Sequence, residues 1–446
     1  MTQVANTASS EVSKPRRLSL RANFSWTFLG NVVFSACQWG TLAVFAKWGS
    51  PELVGVYGIA AAISNPVFSG TNLHLRQVQA TDSQDEYLFE HYFGLRITTA
   101  ILALLIILLC LSFGEYDAAT TWVIVWVGVM KCFGAVGEIL RGLFQRYERM
   151  NFSGTSMMIR GPLGLATIAA VFLVTRDIAL TMFARVGASV LVLVLYDTPR
   201  AYRLLHEHDP LDGAKLRMRP SFEARTLFRL AVRAFPLAVG IFLISLSLAM
   251  PRYVLYWKHG KALLGYYDAV AYAVLAGSIV MSAAGQALAP RLATKFVTDL
   301  GEYQRLLRKF LMLALVLGVL FIGGVAAFGK FALGLLYTPD YAAYHIEFII
   351  LSFAGASSFL IWFGSVGLAA TRNFYVQMVA GALTIGATVV CSFALVPTYG
   401  VRGAAVAALA GQLITCAAYF LGLRWLVAQR QRELIVSENN AEPMNM

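Results

Sequence analysis

Residues 348–371 read FIILSFAGASSFLIWFGSVGLAAT, 24 consecutive positions without a charged side chain. A helix that crosses the hydrocarbon core of a bilayer needs about 20 predominantly apolar residues, so this stretch is long enough to span a membrane. In water the same helix would expose more apolar surface than a soluble protein tolerates. The stretch therefore predicts a transmembrane helix and excludes a water-soluble fold for this part of the chain.

Stretches of this kind recur along the 446-residue chain. Nine windows contain no charged side chain, at residues 22–46, 53–75, 97–114, 234–251, 269–290, 310–329, 348–371, 373–401 and 403–423. Three further apolar segments, at residues 118–140, 161–175 and 178–196, are shorter or carry single charges. Charged residues make up only 13% of the chain, against roughly 25% in soluble domains. The sequence therefore predicts an all-α, polytopic membrane protein with about twelve transmembrane helices.

The positions of the basic residues along the chain indicate what the net charge of +12 means for function. If the N-terminus is cytoplasmic, 27 of the 36 Lys and Arg fall on the cytoplasmic side of twelve spans and 7 on the opposite side. Cytoplasmic loops of membrane proteins carry such an excess of Lys and Arg. The distribution predicts that both termini are cytoplasmic, that membrane lipids surround the chain, and that the charge does not mark a nucleic-acid partner.

A polar stretch at residues 197–233 divides the spans into six and six. LVGVY at residues 53–57 is followed by LLGYY at residues 263–267, 210 positions later, and three further short matches keep the same order. Duplicated transporters carry such internal repeats, and the even number of spans between matches gives both halves the same orientation. The predicted organisation is an N-terminal tail at residues 1–20, a six-helix bundle at 21–197, a cytoplasmic linker at 198–227, a second six-helix bundle at 228–427 and a C-terminal tail at 428–446.

Few charged side chains interrupt the predicted spans, and those few are candidate functional groups. A charge at the bilayer centre costs roughly 2.5–3.5 kcal/mol on insertion scales, so it normally faces protein or a water-filled lumen. Lys131, Glu138 and Arg141 recur at i, i+7 and i+10 in the fourth span and share one helical stripe. The stripe either lines a lumen or holds a Lys–Glu pair that locks two helices, with Arg141 reaching the membrane surface.

Other spans add five polar candidates. Arg185 lies about 12 Å into the sixth span at 1.5 Å per residue, which favours a lumen over the membrane surface. Arg252 ends the seventh span and Asp268 begins the eighth, so these two could pair or could flank the outer mouth of a lumen. Asn31 and Gln38, at i and i+7 in the first span, could hydrogen-bond a sugar or a neighbouring helix.

The candidate groups together give a lumen with a net charge of +2. Such a lumen attracts anions, because basic side chains in a partly desolvated site bind phosphate oxygens well. It is a poor site for an organic cation. The residues predicted to bind substrate are Lys131, Arg185, Arg141, Arg252, Asn31 and Gln38, and those predicted to couple transport to an ion are Glu138 and Asp268.

Motifs of membrane-bound enzymes and metal sites do not occur in the sequence. Residues 324–330 fit GxxxxGK, but Phe331 stands where a nucleotide-binding loop needs Ser or Thr, and the match closes an apolar span. HExxH, GxSxG and clustered Cys/His spacings are absent. We therefore predict a protein that is not an enzyme and needs no cofactor or metal.

Four further motifs are AKWGSPELVGVY at residues 46–57, NPVF at 65–68, NLHLRQVQATD at 72–82 and PRY at 251–253. Together these motifs resemble those of bacterial polysaccharide-export flippases. The resemblance is strongest over residues 20–100 and 235–295. The flippases belong to the superfamily that also holds multidrug and toxic-compound extruders and the lipid II flippase.

The resemblance implies two pseudo-symmetric six-helix bundles around a central cavity, in the bacterial inner membrane. It also implies that the substrate is an undecaprenyl-diphosphate-linked oligosaccharide, moved from the inner to the outer leaflet by alternating access and driven by an ion gradient. Polysaccharide polymerase and chain-length proteins would be its partners. Two alternatives stay open: a small-molecule extruder of the same architecture, and a membrane polysaccharide polymerase or glycosyltransferase.

Overall fold

A computed structural model gives the architecture of the chain. It describes residues 20–81, 87–207, 218–275, 288, 291–292, 294–371 and 375–441. Within these ranges every regular element is a helix. The prediction of an all-α chain is therefore confirmed for the part of the protein that the structure describes.

The first half of the chain forms eight helices and one π-helical segment. These are α1 (Leu20–Trp48), α2 (Pro51–Thr71), α3 (Leu75–Thr81), α4 (Phe89–Ser112), α5 (Ala118–Arg146), α6 (Met150–Thr175), α7 (Ile178–Val192), the π-helical segment (Leu193–Asp197) and α8 (Thr198–Glu207). The π-helical segment joins α7 to α8 without a break. Part of the predicted linker is therefore a helix that continues the sixth span.

Four long helices and one short 3₁₀ turn can be given bounds in the described residues of the second half, and residues 294–298 are helical as well. The bounded elements are α9 (Ala224–Leu275), α10 (Leu300–Leu336), the 3₁₀ turn (Pro339–Tyr344), α11 (His345–Ala370) and α12 (Tyr375–Ala441). Ten helices of the described chain are long and apolar enough to cross a membrane. Two of these ten, α9 and α12, contain an internal break at a glycine.

The breaks in α9 and α12 are hairpin turns at glycine. Gly260 has φ +80° and Gly400 has φ +52°, a left-handed conformation that favours glycine. Thr384 and Thr415, nearly equidistant from Gly400, approach to 2.7 Å through their hydroxyl oxygens. Each of these helices thus turns back on itself, and the described helices agree with the prediction of about twelve transmembrane helices.

Exposed apolar side chains cover the outer surface of the helices. Examples are Leu102, Leu105 and Leu109 on α4 and Val319 and Leu320 on α10. Water would not tolerate this surface, whereas lipid hydrocarbon does. Helices also satisfy their own backbone hydrogen bonds, as a bilayer requires. The protein is a multi-pass membrane protein.

The apolar core is continuous on one side of the membrane and divided on the other. We call the side that holds Gly260 and Gly400 the turn side, and the side that holds α8 the linker side. On the turn side one buried cluster joins both halves, with Phe45 and Leu264 among its members. On the linker side the first half and the start of α9 form one cluster, and the second half forms another. The bundles therefore share a core on the turn side and diverge toward the linker side.

A repeated backbone contact joins the bundles on the turn side. A Cβ atom on Gly55 would lie 1.9 Å from the carbonyl oxygen of Lys261, and one on Gly265 would lie 1.8 Å from the carbonyl oxygen of Pro51. Both glycines and both carbonyls are 210 positions apart. The same contact thus occurs twice, related by the internal repeat, and it explains why LVGVY and LLGYY share a central glycine.

Side chains add to this contact between the bundles. Trp39 Nε1 donates to Tyr337 Oη at 3.0 Å, and Tyr337 Oη donates to the carbonyl oxygen of Ala269 at 2.9 Å. Lys261 forms an ion pair with Asp117. Partial burial acts to raise the pKa of Asp117, but hydrogen bonds from Lys261 and Thr120 outweigh it and hold the pKa below its ordinary value. The turn side is closed by backbone packing, hydrogen bonds and charge.

We predict that Gly55→Ala and Gly265→Ala each lower the melting temperature of the purified protein. A methyl group at either position would clash with a backbone oxygen, and overpacking costs typically about 1–3 kcal/mol. Gly323→Ala is the control, because a Cβ atom there meets nothing within 4 Å. Ala favours a helix over Gly by about 0.8–1.0 kcal/mol, so the control should melt at the same or a higher temperature. Equal melting temperatures for all three variants would contradict the contact.

Candidate functional site

The charged stripe of α5 contacts α2 at both Lys131 and Glu138. Lys131 Nζ donates to Asn65 Oδ1 at 2.6 Å and lies 5.9 Å from the ring centre of Phe68. Asn65 is exposed although it lies within a membrane-spanning helix. A Cβ atom on Gly134, three residues after Lys131, would meet no atom within 4 Å. Lys131 therefore points toward α2, beside the open space at Gly134.

Glu138 lies further along the same stripe and is partly neutralised. It accepts a hydrogen bond from Asn72 Nδ2 at 3.0 Å and lies 3.9 Å from Arg96 Nη2. Arg96 is 1% exposed, whereas about a third of the Glu138 side chain is exposed. The fully buried member of this pair is the arginine, so Glu138 is the member that water or ions can reach.

A second buried ion pair was not predicted from the sequence. Arg160 Nη2 donates to Asp197 Oδ2 at 2.9 Å, and Asp197 is fully buried. Asp197 ends the π-helical segment, and such segments occur frequently at functional sites. The sequence offered only weak signals, because Asp197 stands at the edge of a polar stretch and Arg160 precedes a proline-containing apolar segment.

Arg185 points into the first bundle and away from lipid. Its Nη1 donates to Ser189 Oγ at 2.6 Å. A Cβ atom on Gly164 would lie 2.4 Å from the guanidinium carbon, so the side chain lies against α6 where glycine leaves room. Tyr57 and Cys37 are within electrostatic range of the guanidinium. Arg185 therefore lies among α1, α2, α6 and α7, on a different wall from Lys131.

Arg252 and Asp268 form a pair inside the closed contact on the turn side. Arg252 Nε donates to Asp268 Oδ1 at 2.6 Å, and Asp268 is fully buried. A Cβ atom on Gly58 would lie 1.8 Å from Asp268 Oδ2, so α2 of the other bundle covers the carboxylate. In this conformation the pair joins the two arms of α9 and does not border an open mouth.

Asn31 and Gln38 lie on α1 beside its packing face. A Cβ atom on Gly30 would lie 2.8 Å from the Cα atom of Gly154, which brings α1 and α6 into close contact. Asn31 is half-buried and Gln38 is exposed. The structure therefore places these two amides on α1 near its contact with α6.

Arg141 completes the α5 stripe and lies beside Arg160. A Cβ atom on Gly137 would lie 3.1 Å from Arg141 Nη1 and 2.7 Å from Arg160 Nη2. The structure thus gathers Lys131, Glu138 and Arg141 along one helix, with Arg96 and Arg160 behind them. No group of three or more His, Cys, Asp or Glu side chains that could hold a metal occurs in the described ranges.

Comparison with known proteins places the chain in a family. A family model described as "Polysaccharide biosynthesis protein" matches residues 20–296. The chain is 25% identical over 404 residues to the capsular polysaccharide biosynthesis protein CapF of Staphylococcus aureus. That match covers 89% of this chain and 98% of its relative. The two proteins are therefore similar along almost their full lengths.

Solved structures share the fold at low sequence identity. The lipid II flippase MurJ in an inward closed conformation superimposes with a TM-score of 0.68 at 11% identity, covering 95% of this chain and 93% of MurJ. A point mutant of the Vibrio cholerae MATE transporter VcmN gives 0.65 at 15% identity, covering 92% and 96%. A MOP superfamily transporter from Pyrococcus furiosus gives 0.56 at 13% identity, covering 93% and 97%. The architecture is that of these transporters, and the chain belongs to the polysaccharide biosynthesis protein family.

Proposed function

We propose that this protein is a flippase, not an enzyme, that moves an undecaprenyl-diphosphate-linked oligosaccharide across the bacterial inner membrane. The observation that carries the proposal is Lys131, a cation within a span that faces an open space beside Gly134. A positively charged surface that water reaches between two bundles would suit a diphosphate carrying a sugar chain. Membership of the polysaccharide biosynthesis family supports the same substrate class.

The proposed orientation places the linker side in the cytoplasm. Most Lys and Arg fall on that side, as the positive-inside rule requires. The cores of the two bundles separate toward the same side. In this orientation the space between the bundles opens toward the leaflet where lipid-linked sugars are assembled, and polymerase and chain-length proteins would act after release on the outer side.

Transport requires the closed turn side to open. The paired glycine contacts at Gly55 and Gly265 would have to separate, together with the hydrogen bonds of Tyr337 and the cover over Asp268. During this change the diphosphate would stay with the cations of the first bundle. The sugars would occupy the aqueous space, and the lipid tail would remain in the bilayer between the bundles.

Glu138 is the better placed of the two candidate ion-coupling groups. About a third of its side chain is exposed, and it already contacts two donors from other elements. Asp268 is fully buried beneath α2 and reaches solvent only when the turn side opens. We therefore propose that Glu138 exchanges an ion from the linker side, and that Asp268 does so in the opposite conformation.

A small-molecule extruder is the second candidate, because the fold is also that of MATE transporters. The charge of the described site argues against an organic cation as its cargo. Lys131 and Arg185 face the interior, and the carboxylates of Glu138, Asp197 and Asp268 each lie beside an arginine. An anionic headgroup fits this balance better.

We predict that Gly134→Leu abolishes surface polysaccharide, because the larger side chain would fill the open space beside Lys131. Gly187→Leu is the matched control, since Gly187 also meets nothing within 4 Å but lies in an apolar surface groove with Phe183 and Leu191. Both variants would be expressed in a deletion strain and surface polysaccharide measured. Loss in both variants, or in neither, would count against a transport path along α5.

We also predict that Lys131→Ala and Arg185→Ala each reduce surface polysaccharide and leave single lipid-linked units on the inner leaflet. A charge-assisted hydrogen bond contributes about 1.5–3 kcal/mol, which corresponds to roughly a tenfold loss of affinity or more. Lys131→Arg should retain most of the activity. Lys330→Ala removes an exposed cation from α10 and serves as the control. Normal polysaccharide in the Lys131→Ala strain would overturn the proposed function.

A further inference from the structure

Two arginines of the first bundle lie next to each other with buried nitrogens that lack partners. Arg141 Nη1 and Arg160 Nη2 both lie close to the position of a Cβ atom on Gly137, at 3.1 and 2.7 Å. The two nitrogens are therefore at most 5.8 Å apart. Nε and Nη1 of Arg141 and Nε of Arg160 are buried without a hydrogen-bond partner. Glycine at position 137 is what permits this approach.

Charge in this region does not balance among the described residues. The cluster contains four arginines and two carboxylates, namely Arg76, Arg96, Arg141, Arg160, Glu138 and Asp197. Arg160 has Asp197 at 2.9 Å, and Arg96 has Glu138 at 3.9 Å. Arg76 donates to the amide oxygen of Gln145. Arg141 has no carboxylate at ion-pair distance; it lies within electrostatic range of Glu138, which Arg96 and Arg76 also approach, and of the other three arginines.

An unpaired charge beside like charges is destabilising, because burial removes the water that would screen it. Such an arrangement persists in a protein when a ligand supplies the missing charge, so that function is maintained at the expense of stability. The ligand must be an anion that accepts several N–H donors at once. Phosphate oxygens accept N–H donors at about 2.7–2.9 Å. One oxygen at that distance from both nitrogens can therefore bridge two nitrogens that are up to about 5.8 Å apart.

We propose that Arg141 and Arg160 form a binding site for a phosphate group on the linker side of the first bundle, separate from Lys131. Arg141 follows Lys131 by ten residues, which is about 15 Å along an α-helix. A phosphate at Arg141 therefore does not contact Lys131. The stripe of α5 between them contains Gly134, where the structure leaves open space.

With this site, the transport path has two successive binding sites for a phosphate group. The diphosphate first binds at Arg141 near the linker side and then passes along the open face of α5 to Lys131. This order rests on the proposed function. The phosphate site itself does not, because a membrane phospholipid headgroup carries the same chemistry and could occupy it instead.

The test measures binding of inorganic pyrophosphate to the purified full-length protein in nanodiscs of phosphatidylcholine. Lys131→Ala serves as the background, because it removes the other proposed phosphate contact. In this background pyrophosphate is expected to bind and to raise the melting temperature, since a ligand that binds only the folded state stabilises it. Adding Arg141→Gln should weaken binding at least tenfold. Adding Arg229→Gln, which removes an exposed arginine on the linker side, should leave binding unchanged.

The melting temperature without pyrophosphate separates a ligand site from a structural role. Arg141 lies within range of three arginines and one carboxylate, so removing its charge should on balance relieve repulsion, and Arg141→Gln should melt at the same or a higher temperature than its background. A clear drop would overturn the proposal, as would undiminished pyrophosphate binding. Neither result depends on export in cells, so failure here is distinguishable from failure of the proposed function.

A second lipid composition identifies the source of the phosphate. In nanodiscs that contain phosphatidylglycerol, a lipid headgroup that binds in the site would compete with pyrophosphate. Pyrophosphate binding would then weaken in the Lys131→Ala background, but only in the protein that retains Arg141. Unchanged binding in both lipids would assign the site to the diphosphate of the cargo. Either result supports a phosphate site and decides which molecule fills it.

Discussion

Lipid hydrocarbon offers no partner to a charged side chain, and the arrangement of the first bundle follows from that constraint. Asp197 is held by Arg160, and Glu138 lies near Arg96. These contacts join helices that are distant in sequence, so they help to fix the bundle. Lys131 differs, because its hydrogen-bond partner is an exposed amide and the space beside it is open. The fold thus pairs Asp197 and Glu138 with arginines and leaves the charge of Lys131 available to a substrate.

The second constraint is the backbone contact between the halves. Gly55 and Gly265 let α2 and the second arm of α9 approach without intervening side chains, twice and at the same sequence offset. A contact of this kind is either made or broken, because each carbonyl oxygen either packs against the glycine or separates from it. It suits a gate with two states, closed here on the turn side. The Arg252–Asp268 pair lies beneath the same contact and would be exposed when the contact separates.

The sequence predicted the membrane fold well, because chargeless windows depend only on local composition. The repeat of LVGVY as LLGYY also follows from local sequence. The ion pairs could not be predicted, since Arg160–Asp197 and Arg96–Glu138 depend on how separate helices rotate against each other. For Arg252 the sequence left two roles open, and the structure places it in a closed pair. Whether the predicted site residues bind substrate stays a prediction.

The central claim is that water reaches the face of α5 beside Lys131 from the linker side. Thiol labelling in a variant without the five native cysteines tests it directly. With Gly134→Cys, a membrane-impermeant thiol reagent applied from the linker side should react, and Gly187→Cys in the apolar groove should stay unlabelled. If Gly134→Cys reacts no faster than Gly187→Cys, the open space beside Lys131 is dry or closed, and the account of a charged transport path is contradicted.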